Sequence, residues 1–353
     1  MRRLITSLSL SAMAIFGCHA QQTGEAISYY LPKTAIHINL LVEKTNYKPG
    51  QLVGYARRYM KLDNANPNAE TTYRIVGAEM YSTAEPDTAK LFTLNIGKQH
   101  FIAKVDRSSK GVLLAVNAEG SDNQTIPSFT PGRPQPVLNP KDYMSQDILL
   151  ATSSAKMAEL TANEIFEIRE SRTMLARGEA DFMPKDAGQL KIMMDQLDTQ
   201  EKALLQLFAG TVTKDTTMTT VTFVPDSETE KHTLFRFSKH FGLTDADDLS
   251  GTPYYVNVKK KQAFTDDTPA ETEKKDKKDK NDIGLRVNIP AKMNVTIADG
   301  FGNTLARQEY PAPQFGKTEA LSGELFGKKQ SSKLVLDSKT GAILSIEALP
   351  IEK

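Results

Sequence analysis

The feature that most constrains this chain is a change in the spacing of its apolar residues. Between residues 26 and 44 and between 71 and 118 apolar and polar residues alternate, as around Ile36 and Ile38, which is typical of strands with one buried face. Helical spacing over residues 52–59 predicts a short helix between them. Between 150 and 210 the spacing becomes three to four residues, which predicts amphipathic helices. From residue 211 alternation returns. We therefore expect an α+β, mostly β fold, with two antiparallel β domains and an inserted helical hairpin.

Composition shifts place the boundaries of these parts. We expect an N-terminal β domain over residues 25–126, a Pro-rich linker over 127–142, the helical hairpin over 150–210 and a C-terminal β domain over 211–353. The linker contains five prolines, which disfavour regular structure. A charged insertion, residues 259–282, interrupts the second β domain. Its charges of both signs bury nothing and cancel, so we expect a disordered, solvated loop.

Turn residues divide the β regions into shorter predicted strands. In the first region these cover residues 73–81, 90–96 and 101–105. In the second region residues 285–289 and 293–297 form separate strands on either side of a proline.

Two hairpin segments, residues 104–116 and 335–346, resemble each other, with Asp and Gly in both turns. Pro32 and Pro290 each precede an alternating strand. Two related β modules around a helical insert explain this similarity, and so does a coincidence of turn chemistry.

The helical region carries its own start and stop signals. Gly178 and Gly210 stand where helices end, and Asp186 is an N-cap for the second helix. The second helix has an apolar stripe that is either core or a groove for a partner. Its members are Leu190, Met193, Met194, Leu197, Leu204, Leu205 and Phe208.

The first twenty residues have the pattern of a signal peptide. Arg2 and Arg3 give a positive start, and residues 4–17 are uncharged and largely apolar. That run is too short to span a bilayer, and no other stretch is long enough, so we expect the mature chain not to cross a membrane.

Two processing routes compete at the end of this segment. Cys18 follows Gly17, with Ile15 two residues earlier, and this spacing suits a lipobox with lipidation at Cys18. Ordinary cleavage after Ala20 would leave Gln21 first. Cys18 is the only cysteine in the chain, and it stands where a lipid-accepting cysteine would stand.

The remaining composition excludes some classes of protein. With no other cysteine, the mature chain contains no disulfide, and its stability must come from packing. The net charge of +1 argues against a nucleic-acid partner, which would require a basic excess.

Several segments together match the pattern of a known family. They are Tyr29-Tyr30-Leu31-Pro32-Lys33-Thr34-Ala35, Glu43-Lys44-Thr45, Pro49-Gly50, Glu85-Pro86-Asp87, Glu164-Ile165-Phe166-Glu167-Ile168-Arg169-Glu170-Ser171-Arg172 and Leu207-Phe208-Ala209-Gly210. These segments resemble an uncharacterised secreted family of the Bacteroidota, domain-of-unknown-function family 4831. The resemblance covers nearly all of the mature chain. It implies export and a Bacteroidota envelope, and it transfers no activity and no functional residues.

Three short motifs match those of penicillin-binding enzymes, but their arrangement does not. Ser153 and Lys156 form S-x-x-K, residues 121–123 read S-D-N, and residues 339–341 read K-T-G. The S-D-N motif precedes S-x-x-K instead of following it, and K-T-G fills a hairpin turn. We therefore predict no catalytic residue here.

No histidine or acidic cluster has the spacing of a metal site. His232 and His240 could share a strand face, but no third ligand is indicated. Residues 245–248 are acidic, but Ser250 stands where a calcium loop needs glycine. We predict no metal and no cofactor.

Two further groups of residues could contact a ligand or a partner. Tyr29, Tyr30, Tyr254 and Tyr255 could stack on a sugar, although paired tyrosines on strands are more often divided between core and surface. Arg169, Glu170 and Arg172 could dock a partner, or could form a solvated charged helix face.

These observations predict an exported envelope protein that acts as a non-catalytic interaction or structural module. Its partner would be an envelope protein or a cell-wall component. The alternative is a carbohydrate-binding protein or a carboxylate-dependent hydrolase whose site is invisible in sequence. We expect a periplasmic location, either lipid-anchored or soluble, with membrane contact only through the lipid anchor.

The processing routes make opposite predictions for Cys18→Ala. If Cys18 is acylated, buried methylenes hold the chain to a leaflet at about 0.8 kcal/mol each, and the substitution releases the protein into the soluble fraction. Fractionation and N-terminal sequencing measure this. Wild-type protein that is already soluble and begins at Gln21 would contradict lipidation.

Overall fold

The computed structural model describes residues 26–130, 136–261 and 281–350. The predicted signal peptide, with Cys18 and Ala20, lies outside the described residues. So do residues 131–135 of the predicted linker and 262–280 of the predicted insertion.

The described chain is 48% strand and 22% helix, which confirms the predicted mostly β, α+β class. The helices are α1 Ala56–Met60, α2 Gln146–Leu149, α3 Ser154–Arg177 and α4 Ala187–Ala209. The strands are β1 Ala26–Lys48, β2 Glu70–Asn95, β3 Val105–Arg107, β4 Leu113–Val116, β5 Thr211–Phe223, β6 Thr229–Ser238, β7 Gly242–Thr244, β8 Thr252–Lys261, β9 Asp282–Asp299, β10 Thr304–Ser322, β11 Ser331–Leu336 and β12 Ile343–Leu349.

The described strands form three antiparallel sheets, ordered β2-β1-β5, β10-β9-β8-β6-β7 and β12-β11-β4-β3. The first two pack against each other around a core in which Ile36 and Ile38 of β1 meet Val256 of β8 and Val295 of β9. Alternation in each strand supplies one apolar face to this core, as the sequence predicts.

A second core lies at the other end of the two long hairpins, β1–β2 and β9–β10. There Tyr29, Leu31 and Leu285 pack against Leu334 and Leu113 of the third sheet. Each long hairpin therefore contributes one half to each core.

The change from one core to the other occurs at Pro32 and Pro290, the two prolines singled out by the sequence. In β1 the pairing jumps from Tyr30 opposite Leu91 to Pro32 opposite Pro86. In β9 it jumps across Pro290 in the same way. Proline has no backbone N–H and therefore cannot donate a hydrogen bond to the neighbouring strand. A bulge at a proline thus sacrifices no hydrogen bond that this residue could have donated.

The two hairpins also share a hydrogen bond. The residue two places before each proline donates its backbone N–H to the carbonyl of a turn glycine. Tyr30 donates to Gly111 and Asn288 donates to Gly341, both at 3.0 Å. Both glycines have positive φ, 83° and 69°, which their lack of a Cβ allows. The similarity between the two hairpin segments in the sequence is thus matched by equivalent backbone hydrogen bonds in the fold.

Strands from both predicted β regions share sheets. β1 pairs with β5, and β4 pairs with β11. The division into an N-terminal and a C-terminal β domain stays a prediction, and these two pairings cross it.

A buried carboxamide, that of Asn288, connects the two bulges. Its Nδ2 donates to the carbonyls of Pro32 at 3.3 Å and Thr340 at 3.0 Å. Its Oδ1 accepts from Nζ of Lys90 at 3.1 Å, and Lys90 donates as well to the carbonyl of Pro313. Burial lowers the pKa of Lys90. One side chain thus ties together both long hairpins and the turn before β12.

The helices pack at the far end of β1. Leu52 and Ala56 meet Ile165 of α3 and Leu204 and Phe208 of α4 in a third core. Ser153 caps α3 by accepting the N–H of Lys156, and Asp186 caps α4 by accepting that of Gln189. Gly178 and Gly210 end the two helices, as their sequence positions predict.

A close approach joins the helical pair to the sheet. A Cβ at Gly50 would lie 2.1 Å from the carbonyl oxygen of Leu207, so only glycine fits there. The N–H of Leu52 donates to the same carbonyl at 2.7 Å.

Four local expectations differ from the structure. Residues 101–104 form no strand, because the Asn117 side chain pairs with the Ala103 N–H and the Phe101 carbonyl. Residues 73–95 belong to one bulged strand, β2, and the two strands predicted around Pro290 are one strand, β9. The sequence does not predict β10, because Pro311 and Pro313 argue against a strand. These prolines are tolerated because β10 is an edge strand.

The ends of the predicted linker and insertion are ordered. Pro140–Tyr143 forms a short 3-10 helix capped by Asn139. Residues 259–261 belong to β8, and Asp282 begins β9.

We expect Asn288→Ala to lower the free energy of unfolding by about 2–3 kcal/mol, because it leaves buried carbonyls without donors. Half-exposed Asn294, on the same strand, is the control, and Asn294→Ala should change the free energy by less than about 0.5 kcal/mol. Urea unfolding measures both. Equal losses would show that the Asn288 bonds add nothing to the stability.

Candidate functional site

The apolar stripe of α4 is divided between core and surface. Leu204 and Phe208 are fully buried, whereas Ile192, near the start of the helix, is 70% exposed. Met193 and Leu197 lie between these extremes. The core interpretation of the stripe is confirmed for the second half of the helix. The partner-groove interpretation stays a prediction for the first half.

The exposed half of α4 and the last turns of α3 enclose an apolar groove of about 510 Å³, which we call the distal groove. Phe182, in the loop between the helices, also lines it. Polar rim residues include Ser171, Asp181, Gln196 and Gln200. The apolar lining residues are Met174, Leu175, Phe182, Ile192, Met193 and Leu197.

Ion pairs between the two helices lie beside the groove and hold its walls together. Nε of Arg169 lies 2.6 Å from Glu201, and Arg172 pairs with both Glu201 and Asp198. Glu201 is buried between the helices, so it is the residue on which the cluster converges. Of the three residues proposed from sequence as docking charges, Arg169 and Arg172 are thus structural, and Glu170 is exposed.

Two other surface depressions have linings of mixed polar and apolar residues. One, of about 810 Å³, is lined by Phe101, Lys104, Glu119 and Lys333. The other, of about 370 Å³, lies between Gly50 and residues 137–141. In the described residues none of these three depressions holds two carboxylates.

The three penicillin-binding-type motifs lie on separate elements. Ser153 and Lys156 begin α3, where Ser153 Oγ serves as the helix cap and Lys156 pairs with Glu159 at 3.2 Å. Residues 339–341 form the turn before β12, over Pro32, and residues 121–123 lie in a loop after β4. No hydrogen bond between described residues joins one motif to another.

The candidate metal ligands are likewise separated. His232 packs against the ring of Phe223 at 5.3 Å, while His240 lies in a turn. In the acidic loop, Ser250 donates its N–H to Asp248, and this bond lowers the pKa of Asp248. In the part of the chain that the structure describes, no three His, Cys, Asp or Glu side chains are grouped as metal ligands.

The four candidate tyrosines form no exposed row. Tyr29 is buried; its hydroxyl donates to the Gly284 carbonyl at 2.9 Å and accepts from the Arg286 N–H at 2.6 Å. Burial raises the pKa of Tyr29 to about 12. Tyr254 stacks on Phe235, and Tyr30 and Tyr255 are half-buried.

A second apolar surface lies on β12, at the edge of the third sheet. Ile343, Leu344 and Ile346 are exposed there, and no described strand pairs with its outer side. Exposed strand edges suit binding by added strands, whereas they offer no catalytic group.

A family model described as a domain of unknown function (DUF4831) matches residues 25–344. The chain belongs to the DUF4831 family. The match runs from the start of β1 to the beginning of β12, so it includes the distal groove, and the resemblance drawn from the sequence is confirmed. No curated protein and no solved structure matches the chain.

Among the described residues of this DUF4831 member, no helix is both long enough and apolar enough to cross a bilayer.

Sequence reasoning named Met193 and Leu197 but missed the other walls of the groove, although a signal was present. Phe182 and Met183 are adjacent apolar residues in the loop between two helices, where polar residues are expected. Ile192 lies beside the stripe and extends it around the helix.

Because one half of α4 is buried and the other is exposed, introducing the same charged residue should lower the free energy of unfolding by different amounts in the two halves. Leu204→Asp should cost about 3 kcal/mol or more, because it buries an unpaired carboxylate. Ile192→Asp should change the free energy of unfolding by less than about 0.5 kcal/mol, because that side chain is exposed. Urea unfolding of the two variants tests this, and similar losses would place both positions in the core.

Proposed function

We propose that this protein is an exported, non-catalytic envelope module that binds an amphipathic helix of a partner protein in the distal groove. The groove carries the proposal, because it is an open apolar surface between two helices whose relative position is fixed by ion pairs. Such a groove accepts the apolar face of a third helix, with side chains spaced three and four residues apart.

The lining suits a peptide better than a small polar ligand. Met174 and Met193 are flexible and adapt to irregular apolar side chains. The rim offers amides, a hydroxyl and the carboxylate of Asp181, which can bond the polar flank of an amphipathic helix. We therefore expect an apolar face flanked by polar or basic residues in the partner.

Export supports an envelope location. The sequence of residues 1–20 has the pattern of a signal peptide, and the proposal places the protein on the periplasmic side, lipid-anchored at Cys18 or soluble. A Bacteroidota envelope follows from the family resemblance. The carbohydrate-binding or hydrolase alternative gains no support from a particular observation, so we do not develop it.

A photocrosslinking amino acid at Ile192 tests this function in living cells. It should crosslink to one envelope protein, whereas the same amino acid at Leu150 should not. Leu150 is a matched control, since it is 68% exposed and lies outside the groove.

Binding of the crosslinked protein, once purified, then gives the decisive measurement. Ile192→Glu should weaken it by at least about tenfold through loss of a buried apolar contact, and Leu150→Glu should leave it unchanged. The proposal is wrong if both substitutions have the same effect or if the contact of the partner maps outside α3 and α4.

A further inference from the structure

Four large apolar side chains in the described residues are at least 70% exposed, and three of them lie at one end of the five-stranded sheet. They are Phe301 at 84%, Leu249 at 81% and Phe241 at 70%. The fourth, Ile192, belongs to the distal groove. Exposed apolar residues scattered singly are ordinary, but three at one end of a sheet are not.

Strand register brings the three together. Phe241 lies in the turn from β6 to β7, Leu249 in the loop from β7 to β8, and Phe301 in the turn from β9 to β10. Phe237 of β6 pairs with Thr252 of β8, and Tyr254 of β8 pairs with Asp299 of β9. The turns from β6 to β7 and from β9 to β10 therefore lie at the same end of the sheet, and the loop that carries Leu249 enters β8 at this end. We call these three side chains the apolar tips.

The turn that carries Phe301 is held by the carboxylate of Asp299. Oδ1 of Asp299 accepts the N–H groups of Phe301 at 3.0 Å and Asn303 at 2.8 Å. Its Oδ2 accepts from the Asn303 side chain at 2.9 Å. The bond from the Asn303 side chain, followed by those from the backbone N–H groups, lowers the pKa of Asp299, and together they fix the turn.

The other two connections are fixed as well. Arg236 donates to the carbonyls of Ala246 and Gly251, which spans the loop that carries Leu249. The Ser238 hydroxyl accepts the N–H of His240 in the turn that carries Phe241. The tips are thus projected into solvent by ordered turns.

Their arrangement and charge indicate what they contact. They come from three separate connections, whereas a peptide-binding site is concave and continuous. Asp245, Asp247 and Asp248 lie in the same loop as Leu249, and this negative charge disfavours anionic headgroups. Phenylalanine and leucine at protruding positions suit insertion just below electroneutral headgroups.

We propose that the apolar tips insert into the surface of an electroneutral phospholipid bilayer. The contact would be a second one, independent of the predicted acylation at Cys18 and of the distal groove. It would orient the sandwich with this end of the five-stranded sheet toward the membrane, which acylation at Cys18 alone would not do.

The absence of tryptophan from the sequence makes a direct test possible. In the processed chain, residues 21–353, Phe301→Trp introduces a single reporter at the apolar tips. Adding phosphatidylcholine vesicles should shift its emission to shorter wavelength, and phospholipids brominated on their acyl chains should quench it. Leu150→Trp, the control near the helices, should show neither change.

A complementary test removes the tips. Replacing Phe241, Leu249 and Phe301 together with serine should lower the fraction that sediments with these vesicles by about tenfold or more. The melting curve should not change, because the three side chains are exposed. Replacing Phe182 and Ile192 with serine, in the distal groove, should leave vesicle binding intact.

Three results would overturn the inference. The first is a Phe301→Trp emission spectrum that vesicles do not alter. The second is binding that requires anionic lipid and is removed by salt, which would be electrostatic adsorption. The third is an emission shift that depends on protein concentration without lipid, which would make a second copy of the chain the partner.

Discussion

The structure depends on the buried carboxamide of Asn288. All of its hydrogen-bonding groups are used, and they reach the bulge of β1, the bulge region of β2 through Lys90, and the turn before β12. A buried amide in this position is costly unless every partner is present, so the elements must assemble together. Pro32 and Pro290 interrupt the ladders at the same level, which allows each long hairpin to pack half of its length in one core and half in the other.

This arrangement determines where the surfaces that can bind partners lie. The Asn288 side chain is buried among backbone carbonyls. Two exposed apolar surfaces lie far along the elements from it, at the end of the helical hairpin and at the tips of the five-stranded sheet, whereas the edge strand β12 begins just after the turn that Asn288 holds. The fold thus supplies a rigid body, and its ends supply the contacts, as is common where loops and projecting helices carry function.

Particular residues show how much of the fold can be predicted from the sequence. The caps at Ser153 and Asp186 and the stops at Gly178 and Gly210 are local chemistry, and they lie where they were expected. β10 was missed because Pro311 and Pro313 argue against a strand unless its edge position is known. Alternation predicts a strand over residues 101–104. It cannot show that the Asn117 side chain forms hydrogen bonds with the backbone groups of this segment.

The sequence by itself determined the mostly β class, the two long helices with their ends, the family, and the absence of a disulfide, because these depend on local periodicity, capping residues and composition. Only the tertiary structure decided that one end of the α4 stripe is core and the other a groove wall. Only the register of β6, β8 and β9 brought Phe241, Leu249 and Phe301 to one end of a sheet. Burial and proximity depend on residues distant in the chain, and no local pattern encodes which of them meet.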